Sequence, residues 1–255
     1  MSPQKRGAQK EIIRLTRFKR DPIASVPITE LTPDRLAGWR DKRLREVAPA
    51  SVTRELNLLS SVLTCARREW RLIKENPMSD VRKPPKTPHR ERLPTSDEID
   101  RLAFVAGDNL RFPRARCHMA FLFAIETGMR AGEIAGLTWD RVNLDKSVAK
   151  LIHTKNGHPR EVPLSPEAMR ILRELPENDP VFGVKSQSVD ALWRRVRDKA
   201  GIVGLTFHDS RAEAITRLSK RLGILDLARM VGHKDLRQLQ TYYREDATAI
   251  AMKLL

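Results

Sequence analysis

Four side chains that could take part in a reaction lie near the carboxyl end of the 255-residue chain, namely His208, Arg211, His233 and Tyr242. None of them has the spacing of a metal site. A tyrosine hydroxyl among cationic and hydrogen-bond-donating side chains is typical of an oxygen nucleophile that attacks an anionic centre, and a phosphodiester fits this chemistry best. The rest of the chain must then supply further phosphate ligands or bring a nucleic acid to this place.

The spacing within this group predicts where its members lie on their helices. His208 and Arg211 are three residues apart and share one helix face, as two donors to one anion would. A core histidine beside a solvent-exposed arginine explains that pair equally well. His233 follows Gly232 at a predicted helix end, where a loop readily exposes a side chain. Tyr242 comes nine residues later and, taken alone, also fits ordinary packing.

A further candidate lies upstream, where an apolar helix over residues 120–125 meets a glycine-containing turn. Arg130 stands at this turn, and Glu133 follows three residues later on the same predicted helical face. The carboxylate can hold the guanidinium in one orientation, which favours ligand binding. An ordinary surface arginine at a helix boundary is the alternative.

Lys155 stands beside Asn156-Gly157, a strong signal for a two-residue hairpin turn. Exposed hairpin lysines are usually only solvated. A hairpin tip can nevertheless reach into a DNA groove, where an ammonium group can donate a proton to a leaving oxygen. His158 and Arg160, on the returning strand, are weaker candidates for contacts to a DNA backbone.

The composition agrees with a polyanionic partner. The chain holds 48 Lys and Arg against 32 Asp and Glu, a net charge of +16. This excess predicts nucleic acid ahead of an anionic membrane surface, although a merely basic protein would also show it.

Cys65 and Cys117 have no paired spacing, which indicates a reducing cytosol without disulfides or a zinc cluster. No apolar run reaches transmembrane length and no signal peptide opens the chain, so we expect a cytoplasmic protein.

The elements that must position these residues fall into two predicted domains. Residues 1–83 read as three helices without strands; Pro33 opens the second helix, and the third runs from Pro49 through Trp70 towards Asn76-Pro77. Residues 84–94 form a basic, proline-rich linker, in which a plain solvated spacer is the alternative to a segment that follows a DNA backbone. The predicted DNA contacts in this half of the chain are Arg54, Lys83, Lys86 and Arg90.

The second predicted domain covers residues 95–255 and mixes helices with a small sheet. A capping pattern at Thr95 to Glu98 opens its first helix. Three short strands are predicted at residues 139–144, 148–153 and 160–164, and helices resume at Ser165. The expected fold class is therefore α+β and mostly helical.

Together these motifs resemble the tyrosine recombinase (phage integrase) family. The series Thr-Gly-x-Arg-x-x-Glu from Thr127, a hairpin lysine, His-x-x-Arg, Gly-His and a tyrosine nine residues later matches the family across the second domain. Residues 53–77 also look like its helical core-binding domain. The resemblance implies an all-α, SAM-like domain followed by a mixed catalytic domain with a small antiparallel sheet, the DNA breaking-rejoining fold.

The resemblance also implies a role for each matching residue. Tyr242 would attack the scissile phosphate, leaving a 3′-phosphotyrosyl link and a free 5′-hydroxyl. Arg130 and Arg211 would bind the non-bridging oxygens, and Lys155 would protonate the departing 5′-oxygen. Because these cationic groups stabilise charge as Mg²⁺ does elsewhere, neither a metal nor another cofactor is expected.

The remaining positions complete that assignment. His208 would act in proton transfer or donate to the phosphate, His233 would hydrogen-bond the phosphate, and Glu133 would support Arg130. Tyr243 adjoins the predicted nucleophile, but the spacing from His233 favours Tyr242. Ala212 departs from the histidine that many members carry after the arginine of this motif.

The implied activity is site-specific recombination of double-stranded DNA that integrates or excises a mobile element. The apolar residues Ala247, Ile250, Ala251 and Leu254 form a face that either packs on its own domain or docks on a neighbour in a tetrameric synapse. An excisionase or DNA-bending protein is a further expected partner, and a membrane is not.

The first domain starts late for this family, as expected of a naturally short member or a trimmed chain. A type IB topoisomerase-like enzyme and an inactive DNA-binding regulator of the same fold are the alternatives.

Overall fold

The computed structural model describes residues 8–88, 90–152, 159–233, 235–240, 248 and 251–252. It divides into two compact units, Met1–His89 and Arg90–Leu255. None of the described helices is long and apolar enough to cross a membrane.

The regular elements in the described part of the first unit are all helical. Thr32 caps the second helix by accepting a hydrogen bond from the backbone N–H of Arg35, and Pro33 occupies the first helical position, as predicted. Phe18 and Trp39 pack with ring centroids 5.5 Å apart over the core that the helices share. The helices are α1 (Ala8–Phe18), α2 (Pro33–Glu46) and α3 (Pro49–Arg68), with 3₁₀ turns at Pro22–Ser25, Ile28–Glu30 and Pro77–Asp80.

The end of α3 differs from the prediction. The helix stops at Arg68, and the Trp70 side chain that was expected on its apolar face is 57% exposed. Arg71 adopts a left-handed backbone conformation with φ 54°, and the Leu72 N–H donates to the Ala66 carbonyl at 2.9 Å. This hydrogen bond joins two residues that are six positions apart and closes the helix, which a periodic apolar pattern does not reveal.

The second unit is built around one buried helix, α5 (Pro113–Thr127). Its side chains are buried on almost every side, as the continuous apolar run predicts, and α7, α8 and α9 pack against it. A capping box between Thr95 and Glu98 opens α4, again as predicted. The other helices are α4 (Ser96–Ala106), α6 (Ala131–Ala135), α7 (Pro166–Glu174), α8 (Ser186–Lys199), α9 (Asp209–Leu218), α10 (Ile224–Val231) and α11 (Arg237–Gln240).

A three-stranded antiparallel sheet completes this unit, with strand order β1 (Val142–Asn143), β2 (Val148–Leu151), β3 (Arg160–Pro163). The first strand is shorter than predicted because Trp139–Arg141 forms a 3₁₀ turn, closed by a hydrogen bond from the Arg141 N–H to the Thr138 carbonyl. Leu151 pairs with Arg160. The predicted Asn156-Gly157 turn lies outside the described residues. The α+β, mostly helical fold class is confirmed.

Candidate active site

The backbone between α5 and α6 places Arg130 at the edge of the core. Gly128 ends α5 in the left-handed conformation, with φ 62°. A Cβ atom on Gly128 would lie 2.9 Å from the Cγ1 atom of Val231, so the close approach of α10 also requires glycine here. Arg130 then occupies the N-cap position of α6, with its side chain 21% exposed. The Thr-Gly-x-Arg motif is therefore a turn that brings an arginine beside the end of α10.

Glu133 holds Arg130 in two ways. Its carboxylate accepts hydrogen bonds from the Arg130 backbone N–H at 2.9 Å and from Arg130 Nη1 at 3.1 Å. Burial alone would raise the pKa of Glu133, but the hydrogen bonds and positive charges of Arg160 and Arg130 outweigh it and lower the pKa below its usual value. Glu133 is therefore ionised at neutral pH and orients the Arg130 guanidinium.

Arg160 is more enclosed than a surface cation of a basic protein. The sequence favours it as a contact to a DNA backbone, and in the structure its side chain is only 8% exposed. Its guanidinium donates to both Glu133 oxygens, at 3.0 and 2.7 Å, and to the Met230 carbonyl at 3.0 Å. The strand alternation contained a signal for this position, because Val162, two residues along β3, is fully buried and shares the same face.

Arg211 is 3% exposed and links two helix ends. From α9, its guanidinium donates to the Gly128 carbonyl at the end of α5 and to the Val231 carbonyl at the end of α10, the latter at 2.7 Å. Three sequence segments that are far apart in the chain therefore meet at Arg211. This contact brings the Arg130 turn and the segment before His233 together.

His233 lies directly after the left-handed Gly232, whose φ is 69°. The His233 N–H donates to the Ala228 carbonyl at 3.0 Å, while its Nδ1 is buried and has no hydrogen-bond partner among the described residues. Burial, followed by the positive charges of Arg211, Arg130 and Arg160, lowers the pKa of His233 to about 4. His233 is therefore a neutral imidazole close to three guanidinium groups.

His208 occupies the N-cap position of α9 and is exposed. The next residue, Asp209, is 3% exposed and accepts the Thr206 N–H at 2.7 Å. Its carboxylate also binds the guanidinium of Arg90, which donates in addition to the Gly204 carbonyl. Arg90 was predicted as a DNA contact, but its guanidinium is engaged with the residues that precede and open α9.

The remaining predicted residues lie either in the first unit or outside the described residues. Arg54, Lys83 and Lys86 are exposed in the first unit, where they stay predicted DNA contacts. Lys155, His158 and Tyr242 lie outside the described residues, as does the neighbouring Tyr243. Within the part of the chain that the structure describes, no group of three His, Cys, Asp or Glu side chains could hold a metal ion.

Comparisons with known proteins identify the family and the fold of this chain. The sequence profile of the phage integrase family matches residues 95–249. A Haemophilus influenzae protein named as an integrase/recombinase is 41% identical over 95% of this chain and 69% of its own length. The shufflon-specific DNA recombinase of Escherichia coli is 37% identical over 100% of this chain and 68% of its own length.

Two solved structures share the fold. One is the Tn1549 transposon integrase in complex with circular intermediate DNA, with a TM-score of 0.79 and 16% identity over 100% of this chain and 95% of that one. Another is a lambda integrase tetramer bound to a Holliday junction, with a TM-score of 0.78 and 19% identity over 96% of this chain and 75% of that one. The chain therefore belongs to the phage integrase family, the tyrosine-type site-specific DNA recombinases.

Proposed function

We propose that Tyr242 attacks a scissile phosphate of double-stranded DNA and that Arg130, Arg211 and His233 bind that phosphate. The observation that supports this proposal is that Arg130, Arg211 and His233 lie together where α5 and α10 end. Arg211 is hydrogen-bonded to Gly128, two residues before Arg130, and to Val231, two residues before His233. The proposed phosphate-binding residues thus come from three separate segments.

The charges of this cluster suit an anion whose charge grows during reaction. Arg130 and Arg211 contribute two permanent positive charges, and Glu133 keeps one of them oriented. His233 is neutral, so it can donate a hydrogen bond without adding its own positive charge to those of Arg130 and Arg211. Preorganised donors of this kind stabilise developing charge on non-bridging oxygens because they need no rearrangement during reaction.

The chemical step exchanges one phosphoester bond for another. The Tyr242 oxygen forms a bond to phosphorus while the bond from phosphorus to the 5′-oxygen breaks. His208 takes part in the transfer of the tyrosine proton, and Lys155 gives a proton to the departing 5′-oxygen. The product is a 3′-phosphotyrosyl link, which conserves the ester bond. A 5′-hydroxyl from a second strand can therefore reverse the step without a nucleotide cofactor.

The biological reaction that follows is integration or excision of a mobile element. The lambda integrase relative is a tetramer on a Holliday junction, and the Tn1549 relative is bound to circular intermediate DNA. By analogy, four copies of this chain act on two DNA sites in the bacterial cytosol. An excisionase or a DNA-bending protein assists them. The net charge of +16 favours phosphate contacts, so binding weakens steeply with salt.

A nicked suicide substrate tests the proposal, because the cleaved fragment diffuses away and traps the covalent intermediate. The wild-type protein should form a covalent adduct on its recognition site, Tyr242→Phe should form none, and Tyr243→Phe should retain it. Adduct loss in Tyr243→Phe alone would make the neighbouring tyrosine the nucleophile. Absence of any adduct would favour an inactive DNA-binding regulator, and relaxation without strand exchange between two sites would favour a topoisomerase-like enzyme.

A further inference from the structure

Arg160 connects the two segments that carry proposed phosphate ligands. On one side, its Nη1 and Nη2 atoms donate to the two Glu133 oxygens at 3.0 and 2.7 Å. On the other side, its Nε atom donates to the Met230 carbonyl at 3.0 Å, near the end of α10. All three nitrogen atoms of one buried guanidinium are therefore bound, and none of these bonds is to a residue of its own strand.

The Glu133 carboxylate is the common element between Arg160 and Arg130. It accepts from the Arg130 backbone and side chain as well as from Arg160. A carboxylate held from two sides cannot rotate freely, so the bidentate contact with Arg160 limits the directions in which Glu133 can hold the Arg130 guanidinium. Arg160 thereby acts on Arg130 without touching it through a hydrogen bond.

The second connection concerns the segment before His233. A Cβ atom on Gly232 would lie 3.1 Å from both the Cδ and the Nη1 atoms of Arg160, so the glycine backbone packs directly against this side chain. The bond to the Met230 carbonyl lies next to this packing, at the end of α10 and just before His233. One side chain therefore contacts both segments that carry proposed ligands.

We infer that Arg160 is a positioning residue for cleavage, acting through Glu133 on Arg130 and through Met230 and Gly232 on His233. This inference rests on the proposed roles of Arg130 and His233. Lysine should replace Arg160 poorly, because a single ammonium group lacks the planar fork that binds both carboxylate oxygens and the carbonyl together.

The first test compares Arg160→Met and Arg160→Lys with the matched control Arg170→Met. Arg170 lies on α7 in the same unit, where it is half exposed and paired with Glu167 and Glu174, so its loss removes the same charge away from the cluster. Single-turnover adduct formation is measured on a nicked duplex carrying the site that the wild-type protein cleaves. Noncovalent affinity for the same duplex is measured in the Tyr242→Phe background.

Cleavage should slow about 100-fold in Arg160→Met, because displacement of a transition-state donor costs roughly that factor. Arg160→Lys should recover only part of the rate, Arg170→Met should cleave normally, and the noncovalent Kd should change by less than about 3-fold in each, as expected when only transition-state stabilisation is lost. Normal cleavage by Arg160→Met would overturn the inference. A loss of DNA affinity as large as the loss of cleavage rate would also overturn it, since Arg160 would then be a DNA-binding residue.

A neutral substrate separates positioning from general structural damage. A methylphosphonate at the scissile position replaces one charged non-bridging oxygen with a methyl group, so less negative charge remains for Arg130 to stabilise. The Arg160→Met defect should shrink from about 100-fold to about 5-fold on this substrate, because less charge remains for Arg130 to stabilise. An undiminished defect would indicate a purely structural role and overturn the inference.

The double variant Glu133→Gln, Arg160→Met controls for stability. Removing Arg160 alone leaves a buried carboxylate with one guanidinium fewer, whereas the double variant removes both buried charges. Its Tm should exceed that of Arg160→Met, while its cleavage should stay slow. If the double variant regained both its Tm and its cleavage rate relative to Arg160→Met, the inference would be overturned. Failure of the wild-type protein to form a Tyr242-dependent adduct would instead overturn the proposed function, and the inference with it.

Discussion

Arg90 and Asp209 form a two-point ion pair, in which Nε donates to Oδ1 and Nη2 donates to Oδ2, both at 2.7 Å. Asp209 is the first residue of α9, directly after His208 and two residues before Arg211. Arg90 precedes α4, so the pair ties the beginning of the second unit to the helix that carries two proposed site residues. The arginine thus stabilises the N-terminal end of α9.

Replacing Arg90 with methionine should destabilise the protein by about 1 to 3 kcal/mol at pH 7, because a buried carboxylate then loses its charged partner. Burial tends to raise the pKa of Asp209, yet the bonds from Arg90 and Thr206 keep it below the usual value. The contribution of the pair is therefore present above about pH 4 and is lost as pH falls through the lowered folded-state pKa.

Urea denaturation of Arg90→Met at pH 7 and at pH 2 measures this effect, with Arg170→Met as the charge-matched control. The difference from wild type should be large at the higher pH and small at the lower one. An Arg90→Met protein with unchanged stability but weaker DNA binding would instead support the DNA contact predicted from the sequence.

Gly232→Ala should impair both stability and cleavage. Its φ of 69° disfavours a side chain, and the new Cβ would press on Arg160 at 3.1 Å. We expect a loss of about 1 to 2 kcal/mol from the left-handed backbone and a further loss from the contact. Cleavage on the nicked substrate should fall at least about 10-fold, because both Arg160 and His233 move.

Gly107→Ala is the control for backbone strain away from Arg160, and its backbone cost is the larger of the two because its ψ is 171° against 44° at Gly232. Gly107 also has a positive φ, 71°, but a Cβ atom added there would have no atom of the described residues within 4 Å. That variant should lose stability and keep its cleavage rate at a temperature where it is folded. Equal cleavage defects in the two glycine variants would contradict the role given to Gly232.

His118→Leu should make the protein more resistant to mild acid. His118 is 6% exposed in α5, its Nδ1 has no partner among the described residues, and burial lowers its pKa to about 4. Between about pH 6.5 and 4 the unfolded chain binds a proton that the folded chain excludes, so stability falls as pH falls through this window.

Chemical denaturation across pH 4 to 7 measures this slope, and Met119→Leu is a non-titrating control on the same helix. The leucine variant should gain up to about 3 kcal/mol relative to wild type at the acid end. A slope equal to that of wild type would show that other groups cause the acid sensitivity. His233, whose pKa is also lowered, should leave part of the slope in place.

His233 should titrate near pH 4 in the free protein and at a higher pH when an arginine is removed. Burial is the largest cause of its lowered pKa, and the charges of Arg211, Arg130 and Arg160 add to it. Arg130→Met should therefore raise the midpoint without restoring the ordinary value. Nitrogen NMR of the imidazole measures both titration midpoints. An unchanged midpoint in Arg130→Met would mean that the charge of Arg130 does not affect the pKa of His233.

Local features of this protein were predictable because they depend on residues that are neighbours in the chain. Thr32-Pro33 and the Thr95 capping box begin their helices as expected, since side-chain caps act within one turn. The apolar run before Arg130 forms the buried α5, and the spacing of Arg130 and Glu133 indicated their ion pair. The sequence by itself therefore determined the mostly helical class, the family and the candidate site residues within the motifs.

Tertiary structure decided which charges are partners, because those partners are far apart in sequence. Arg160 and Arg90 both had the sequence context of exposed cations in a basic protein, and only packing showed that they bind Glu133 and Asp209. A guanidinium is satisfied by whichever carboxylate the fold brings within about 3 Å, and nothing in the local pattern identifies that carboxylate. The motifs therefore predicted the proposed phosphate ligands, whereas the supporting contacts emerged only from the folded chain.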